Sequence, residues 1–358
     1  MLSVKNILVC PLDWGLGHAT RIVPVINELI AQGANVIMGA DNRPLDFLMR
    51  YYPDNTVIKL EGFNPVYPEK GSMAWKMIKS VPKMISASKA ARRSLQRIIK
   101  EHNIHAIISD NRYELCDSGI PSVFVTHQLN IQTNGIQSIA KPFINLTLSH
   151  FLGGYDEIWI PDSEDHGFSG KLSRTRKYRS KIHFIGTLSR FSNQLSDKGE
   201  KFDILAIMSG PEPQRSLFER IISQQAAKTD KKVAILQGTP GFGSRKTLEN
   251  ITYIPHADDD DFAWLLKSSE VIISRPGYST LMDLAVFEKS GIFIPTPGQT
   301  EQEYLASKLN KERKAVSYHQ NHFNLKDAIH KSSELNGLIA RSNDKNLKKR
   351  ISHLLNNC

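Results

Sequence analysis

Short, wholly apolar runs alternate along the chain with stretches whose apolar residues recur at helical spacing, and this alternation starts twice. In the first half, residues 7–10, 36–39, 56–60, 106–109, 122–126 and 157–160 read as strands. A helix is predicted over 22–31, stopped near Gly33. The pattern restarts at Asp203, with strands at 204–208, 233–236, 251–254, 271–274 and 291–295. Helices lie between them, including 279–287 and 301–310. Strands separated by helices predict parallel sheets covered on both faces. The expected fold class is α/β, two Rossmann-like domains with an interdomain cleft, because doubly wound sheets bind ligands at the carboxyl ends of their strands.

Residues 192–201 are polar and poor in apolar side chains, which places a linker at 192–202. The expected domains are therefore 1–191 and 203–340, followed by a basic helix in 341–358. A length of 358 residues suits two such domains, and no internal repeat is evident. At 40% hydrophobic and 23% charged residues, the chain is globular rather than disordered. It contains no run of 18 apolar residues that would cross a membrane, and its N-terminus lacks the apolar core of a signal peptide. Cys10, Cys116 and Cys358 form no CxxC pair, which points to reduced thiols in the cytoplasm, with Cys10 in a core strand.

The net charge of +10 is unevenly spread. Residues 70–100 hold nine Lys or Arg and no acid. A second basic run comprises Lys171, Arg174, Arg176, Lys177, Arg179 and Lys181. Both are compatible with solvated faces or with anionic partners. Residues 73–100 also carry apolar side chains, Trp75 among them, and are divided by Pro82. They read either as two helices packed on the first sheet or as an amphipathic surface for an anionic membrane. No nucleic-acid partner is expected, since the stretch has one aromatic residue and no reader motif.

Three loops after strands carry candidate chemistry. In the first, Asp13 to Arg21, Gly15 and Gly17 permit a tight turn, and the helix behind it offers free N–H groups. His18 is placed at the lip of the strand, where an imidazole can take a proton near neutral pH. The third glycine of GxGxxG is absent, and an ordinary βα turn would use the same residues. In the second loop, Gly277, Ser279 and Thr280 place small residues and N–H groups where a diphosphate would bind. Asp283 follows, with a carboxylate suited to a ribose diol; equally, Ser279 would serve as an N-cap and Asp283 as a helix-start acid. In the third, Gln302 and Glu303 suit sugar hydroxyls, while Thr300 with Glu303 would make a capping box. The run Asp258 to Asp261 reads as a solvated loop before a helix at Phe262, because consecutive acids fan apart. The 12 histidines show no zinc spacing, and no metal is expected.

Together these segments resemble GT-B type glycosyltransferases, notably the bacterial transferases that add N-acetylglucosamine to lipid I and their uncharacterised archaeal and bacterial relatives. Gly15-Leu16-Gly17-His18 is similar to that family's Gly-Gly-His loop, and Thr126-His127-Gln128 to its His-Glu-Gln stretch. Gly186 to Arg190 resembles the segment whose arginine contacts the nucleobase. Ser209-Gly210 falls on its Gly/Ser loop near the diphosphate. Arg275, Gly277, Tyr278, Ser279 and Thr280 fall on its donor segment, with Asp283 where the family has a ribose-binding Glu. Gln302 and Glu303 fall on its Gln-Gln segment for the donor sugar. Asp283, Glu303, Asp13-Trp14 and Asp110-Asn111-Arg112 depart from the family pattern, so the resemblance carries the fold and donor mode but not the acceptor.

The resemblance implies inverting, metal-independent transfer of a hexose or N-acetylhexosamine from a UDP-sugar to a sugar or glycolipid acceptor. His18 would be the general base, oriented by Asp13 or His127, and no cofactor beyond the donor substrate is implied. The setting would be the cytoplasm or the inner face of the membrane. Two alternatives stand beside it. The GxGHxxR form of Gly15 to Arg21 is shared by nucleotide-sugar hydrolases, so hydrolysis or epimerisation on this fold is one. A non-catalytic nucleotide-sugar-binding protein is the other.

Overall fold

A computed structural model describes residues 4–62, 90–130, 148–165, 167–192, 198–239, 243–340 and 344–358. Most of the basic stretch 70–100 therefore lies outside the described residues; its last part belongs to a helical segment over 90–101.

The first sheet consists of Asn6–Pro11 (β1), Asn35–Ala40 (β2), Thr56–Lys59 (β3), Ile104–Asp110 (β4), Ser122–Val125 (β5), Glu157–Ile160 (β6) and Ile182–Phe184 (β7). Its order is β3-β2-β1-β4-β5-β6-β7, and every pairing is parallel. The second consists of Ile204–Ile207 (β8), Val233–Leu236 (β9), Lys246–Leu248 (β10), Ile251–Ile254 (β11), Val271–Ser274 (β12), Ile292–Phe293 (β13) and Val316–Ser317 (β14). Its order is β10-β11-β9-β8-β12-β13-β14, parallel except for the β10–β11 pair. In both sheets the strand order reverses at the first strand, between β1 and β4 and between β8 and β12. Those are the places where loops diverge and leave a crevice for a ligand.

The helices with defined ends among the described residues include Leu16–Arg21 (α1), Val23–Ala31 (α2), Asn42–Tyr51 (α3), Gln214–Ala226 (α4), Asp259–Ser268 (α5), Tyr278–Val286 (α6), Thr300–Lys311 (α7), Leu325–Ser332 (α8) and Asp344–Asn356 (α9). The central strands are buried on both faces; Ile7, Leu8, Val9 and Cys10 are wholly inside, as are Ala206, Ile235 and Ile273. The strands missing from the hydrophobic pattern are β7, β10 and β14. They are edge or near-edge strands of two or three residues; β10 is fully exposed and β7 half-buried, so no apolar run marks them.

Several helix starts fall elsewhere than the sequence pattern predicts. The chain turns helical at Leu16 rather than Ile22, so His18 lies in the first turn of α1 and not on the strand lip. Pro24 sits near the start of α2, where its missing N–H costs nothing. Gly277, not Ser279, is the N-cap of α6, and Gln299, not Thr300, is that of α7. Glu303 does not cap Thr300; its Oε1 accepts from Gly298 N–H at 3.0 Å. In the acidic run, Asp258 caps α5 by accepting from Asp261 N–H at 2.8 Å, and the next three aspartates form the first helical turn.

The chain divides into two compact units, Met1–Arg190 with Arg341–Cys358, and Phe191–Ala340. Helix α9 belongs to the first unit. Asn346 Nδ2 donates to Phe184 O at 3.2 Å, Arg350 Nε to Glu157 Oε2 at 3.2 Å, and Ser352 Oγ to Gln32 Oε1 at 2.7 Å. These bonds tie α9 to β7, β6 and the end of α2. The three cysteines are free, Cys10 in the core. No helix among the described residues is long and apolar enough to cross a membrane.

Candidate active site

In the first unit, four side chains meet at the switch between β1 and β4. Gly15 begins the turn with φ +105°, a conformation that favours glycine. His18 follows on α1, and its Nδ1 lies 3.2 Å from Oδ2 of Asp110, the last residue of β4. Arg21, one turn further, is 3% exposed. Its Nε donates to Asp110 Oδ2 at 2.9 Å, its Nη2 donates to Asp110 Oδ1, and its Nη1 donates to His127 Nδ1 at 2.9 Å. Guanidinium only donates, so His127 accepts at Nδ1 and keeps its proton on Nε2. Asp110 only accepts when ionised, so His18 presents Nδ1–H to it and a lone pair on Nε2.

The electrostatics agree with that assignment. Burial raises the Asp110 carboxyl, but Arg21 and His18 outweigh it and bring it to about 2. Asp110 is thus an anion across the physiological range. Burial lowers the His18 imidazole from 6.5, Arg21 lowers it further, and Asp110 only partly offsets them. His18 is therefore neutral at pH 7, while its side chain keeps 18% of its surface exposed. A buried carboxylate, an imidazole and an open ring nitrogen are the parts of a general base with its orienter.

Asp110 carries no role in the sequence reading. Its signal is an acid ending an otherwise apolar strand, and its partners lie about ninety residues away. The two residues expected to orient His18 are placed differently. His127 joins the cluster through Arg21. Asp13 turns to Arg112, with Oδ2 3.6 Å from Arg112 Nη1 and Oδ1 accepting from Asp41 N–H at 3.0 Å. Arg112 is also held by Glu114 Oε1 at 3.0 Å, Leu60 O at 2.9 Å and Glu61 O at 2.8 Å. Burial raises the Asp13 carboxyl to about 6 against the pull of Arg112.

In the second unit, the expected donor residues fall on the carboxyl ends of three neighbouring strands, β8, β12 and β13. Ser209 and Gly210 follow β8, both exposed, with Gly210 at φ +99°. A side chain built on Gly210 would come within 3.9 Å of Thr296 Oγ1, in the loop after β13. Gly277, Ser279 and Thr280 are half-buried at the start of α6, with Tyr278 and Asp283 buried. Gln302 Oε1 accepts from Thr296 N–H at 2.8 Å, and Glu303 holds Gly298, so both pin the loop between β13 and α7. The hydroxyls of Ser274 and Thr296 are buried with no protein partner among the described residues. Buried orphan hydroxyls are uncommon and mark a place where water or a ligand completes the hydrogen bonding.

Arg275, directly after β12, is taken up by protein partners. It is 1% exposed, with Nη1 on Ile294 O at 2.8 Å and Pro295 O at 3.0 Å, Nη2 on Gln320 Oε1 at 2.6 Å, and its guanidinium 4.2 Å from the Phe218 ring centre. It is a strut that fixes the loop after β13. Arg190 is the last residue of the first unit's leading segment, half-buried.

Residues 204–355 match the glycosyltransferase family 28 C-terminal domain. The chain is a glycosyltransferase. The glycosyltransferase is 24% identical over 307 residues to a UDP-N-acetylglucosamine–N-acetylmuramyl-(pentapeptide) pyrophosphoryl-undecaprenol N-acetylglucosamine transferase of Campylobacter fetus, covering 85% of this chain and 84% of that one. It is 22% identical over 320 residues to an uncharacterised glycosyltransferase of Methanosarcina acetivorans, covering 82% and 79%. Among solved structures it superposes on a spinosyn rhamnosyltransferase in complex with thymidine diphosphate with a TM-score of 0.64 at 14% identity, covering 98% and 96%. The two-domain α/β fold expected from the sequence is thus that of GT-B glycosyltransferases.

Proposed function

We propose that this glycosyltransferase moves a hexose or N-acetylhexosamine from a UDP-sugar to an acceptor hydroxyl, with inversion at the anomeric carbon. The observation that carries the reading is the 3.2 Å contact between His18 Nδ1 and Asp110. It commits one ring nitrogen to a carboxylate and leaves the other to take a proton. The acceptor hydroxyl gives its proton to His18 Nε2 as its oxygen forms the new bond to the anomeric carbon. The bond from that carbon to the diphosphate breaks, and the electron pair leaves with UDP. Asp110 stabilises the imidazolium formed in this step.

The donor falls to the second unit. Ser209, Gly210, Gly277, Ser279 and Thr280 supply N–H and hydroxyl groups to the diphosphate, and Asp283 binds the ribose. Gln302 and Glu303 face the sugar, and Arg190 the base. The N–H groups opening α6 meet the charge building on the leaving diphosphate, without a divalent ion in this reading. The C. fetus relative is named for a UDP-sugar donor and a lipid-linked acceptor, which supports the same donor class and a lipid-linked acceptor.

The test is release of UDP from a panel of UDP-sugars in EDTA, with and without a lipid extract as acceptor source. Acceptor-dependent UDP release supports transfer. Free sugar released from donor alone replaces transfer with hydrolysis, and no UDP-sugar turnover overturns the donor assignment.

A further inference from the structure

The first unit holds a cavity of about 680 Å³ that the reaction above leaves unused. It lies along edge strand β7, walled by Ile182, His183 and Phe184. The basic run before β7 contributes Arg174, Arg176 and Arg179, and α9 contributes Lys349 and Arg350, about 170 residues later in the chain. A volume of this size falls within the roughly 300–1,000 Å³ of small-molecule sites.

The cations here divide into those the fold uses and those it does not. Arg350 is paired with Glu157. Lys177 donates to Ser149 Oγ, and Lys181 to Tyr155 O at 2.6 Å. Arg174 reaches only a carbonyl, Glu164 O, at 2.5 Å. Among the described residues, the side chains of Arg176, Arg179 and Lys349 have neither an ion pair nor a hydrogen bond. The turn between the two arginines is set by Tyr178, at φ +66°, whose hydroxyl donates to Ser149 O at 3.1 Å.

Three acids line the same cavity. Asp162 is buried, and its oxygens are taken by the N–H groups of Ser163 at 2.9 Å, Phe168 at 3.0 Å and Ser169 at 2.8 Å. Glu164 and Asp165 are exposed and unpaired among the described residues. Four cations without a carboxylate partner therefore face two free carboxylates. The excess suits an anion, and guanidinium groups favour phosphate oxygens. The two carboxylates only accept hydrogen bonds, so they suit hydroxyls carried next to that phosphate.

We propose that this edge cavity binds a phosphorylated polyol, its phosphate held by Arg176 and Arg179 from one segment and Lys349 from α9, its hydroxyls by Glu164 and Asp165. The chemistry is shared by a free polyol phosphate and by the head group of phosphatidylglycerol, and the experiment separates them.

Calorimetry of the full chain with glycerol 3-phosphate, under saturating UDP, reads the soluble ligand. Co-sedimentation with phosphatidylglycerol vesicles, against phosphatidylcholine, reads the lipid. Binding of either is expected to weaken tenfold or more in the Arg176→Gln, Arg179→Gln, Lys349→Gln variant and to fall as salt rises. A second variant, Arg176→Lys with Arg179→Lys, keeps the charge and is expected to lose less; it also serves if the triple variant folds poorly. Glycerol 3-phosphate binding without vesicle binding assigns a soluble ligand, and the reverse assigns the membrane. Binding of neither by the wild type, or binding that survives the triple substitution in a folded protein, overturns the proposal.

Discussion

His18 Nδ1 lies 3.2 Å from Asp110 Oδ2, so a histidine on α1 is aimed by the residue that ends β4. Replacing His18 with Ala is expected to lower kcat by about 10²–10⁴-fold, the usual contribution of a general base. The Kd for UDP is expected to stay unchanged, because no donor contact is assigned to this residue. Asp110→Asn is expected to cost about 10²-fold or more, since an amide can donate to Nδ1 and select the wrong tautomer. Steady-state kinetics with calorimetry for UDP checks both, and wild-type turnover by either variant would remove His18 from the chemistry.

The pH profile follows from the direction of the His18 shift. Its pKa in the fold lies below 6.5, so the neutral base persists as pH falls through 6.5 and is lost only below it. The acid limb of kcat/KM is expected under 6.5. Arg21→Gln removes a cation that depresses His18, so its acid limb is expected to move up. An acid limb above 7 in the wild type contradicts the assignment.

Asp283→Ala is expected to weaken UDP binding by about 1–3 kcal/mol, the cost of leaving polar partners unpaired. The binding itself is expected to survive EDTA. Titration of UDP into both proteins, each with and without chelator, decides it; equal affinities for the two would release Asp283 from the ribose.

Asp13 makes a prediction about stability rather than turnover. Its carboxyl rises from 3.8 to about 6 on folding, chiefly through burial. A raised acid favours the fold while protonated, so this contribution is present below about 4 and lost as pH rises through about 6. Asp13→Asn is expected to raise Tm at pH 7 by about 2–4 °C, the shift that one kcal/mol produces in a unit of this size, and to change little at pH 4. Arg112 tolerates the change because Glu114 and two carbonyls still hold it. Equal Tm differences at both pH values would show that ionisation is not the cause.

The central strands and α2, α6 and α7 were legible because burial on both faces leaves unbroken apolar runs and helix faces leave a period. Strands β7, β10 and β14 were not, because a short edge strand needs neither. Local sequence also misplaced the caps: Ser279 and Thr300 are good cap residues, yet Gly277 and Gln299 take those positions. The loops that carry Gly15, Gly210 and Gly277 could be found from small residues after apolar runs. The Arg21–Asp110 pair could not, since 89 residues separate two groups that meet only when β4 pairs with β1. The same holds for Lys349 beside Arg176, which share a cavity through the return of α9.

That return also orders events in time. Because α9 completes the first unit, the 150 residues of Phe191–Ala340 must be made before the first unit can close. At about 5–20 residues per second, this leaves β7 and the α2 surface uncovered on the ribosome for roughly 8–30 s. The second unit, contiguous in sequence, is free to finish first. A nascent chain of this protein thus inverts the usual vectorial order, and the half synthesised first is the half that waits.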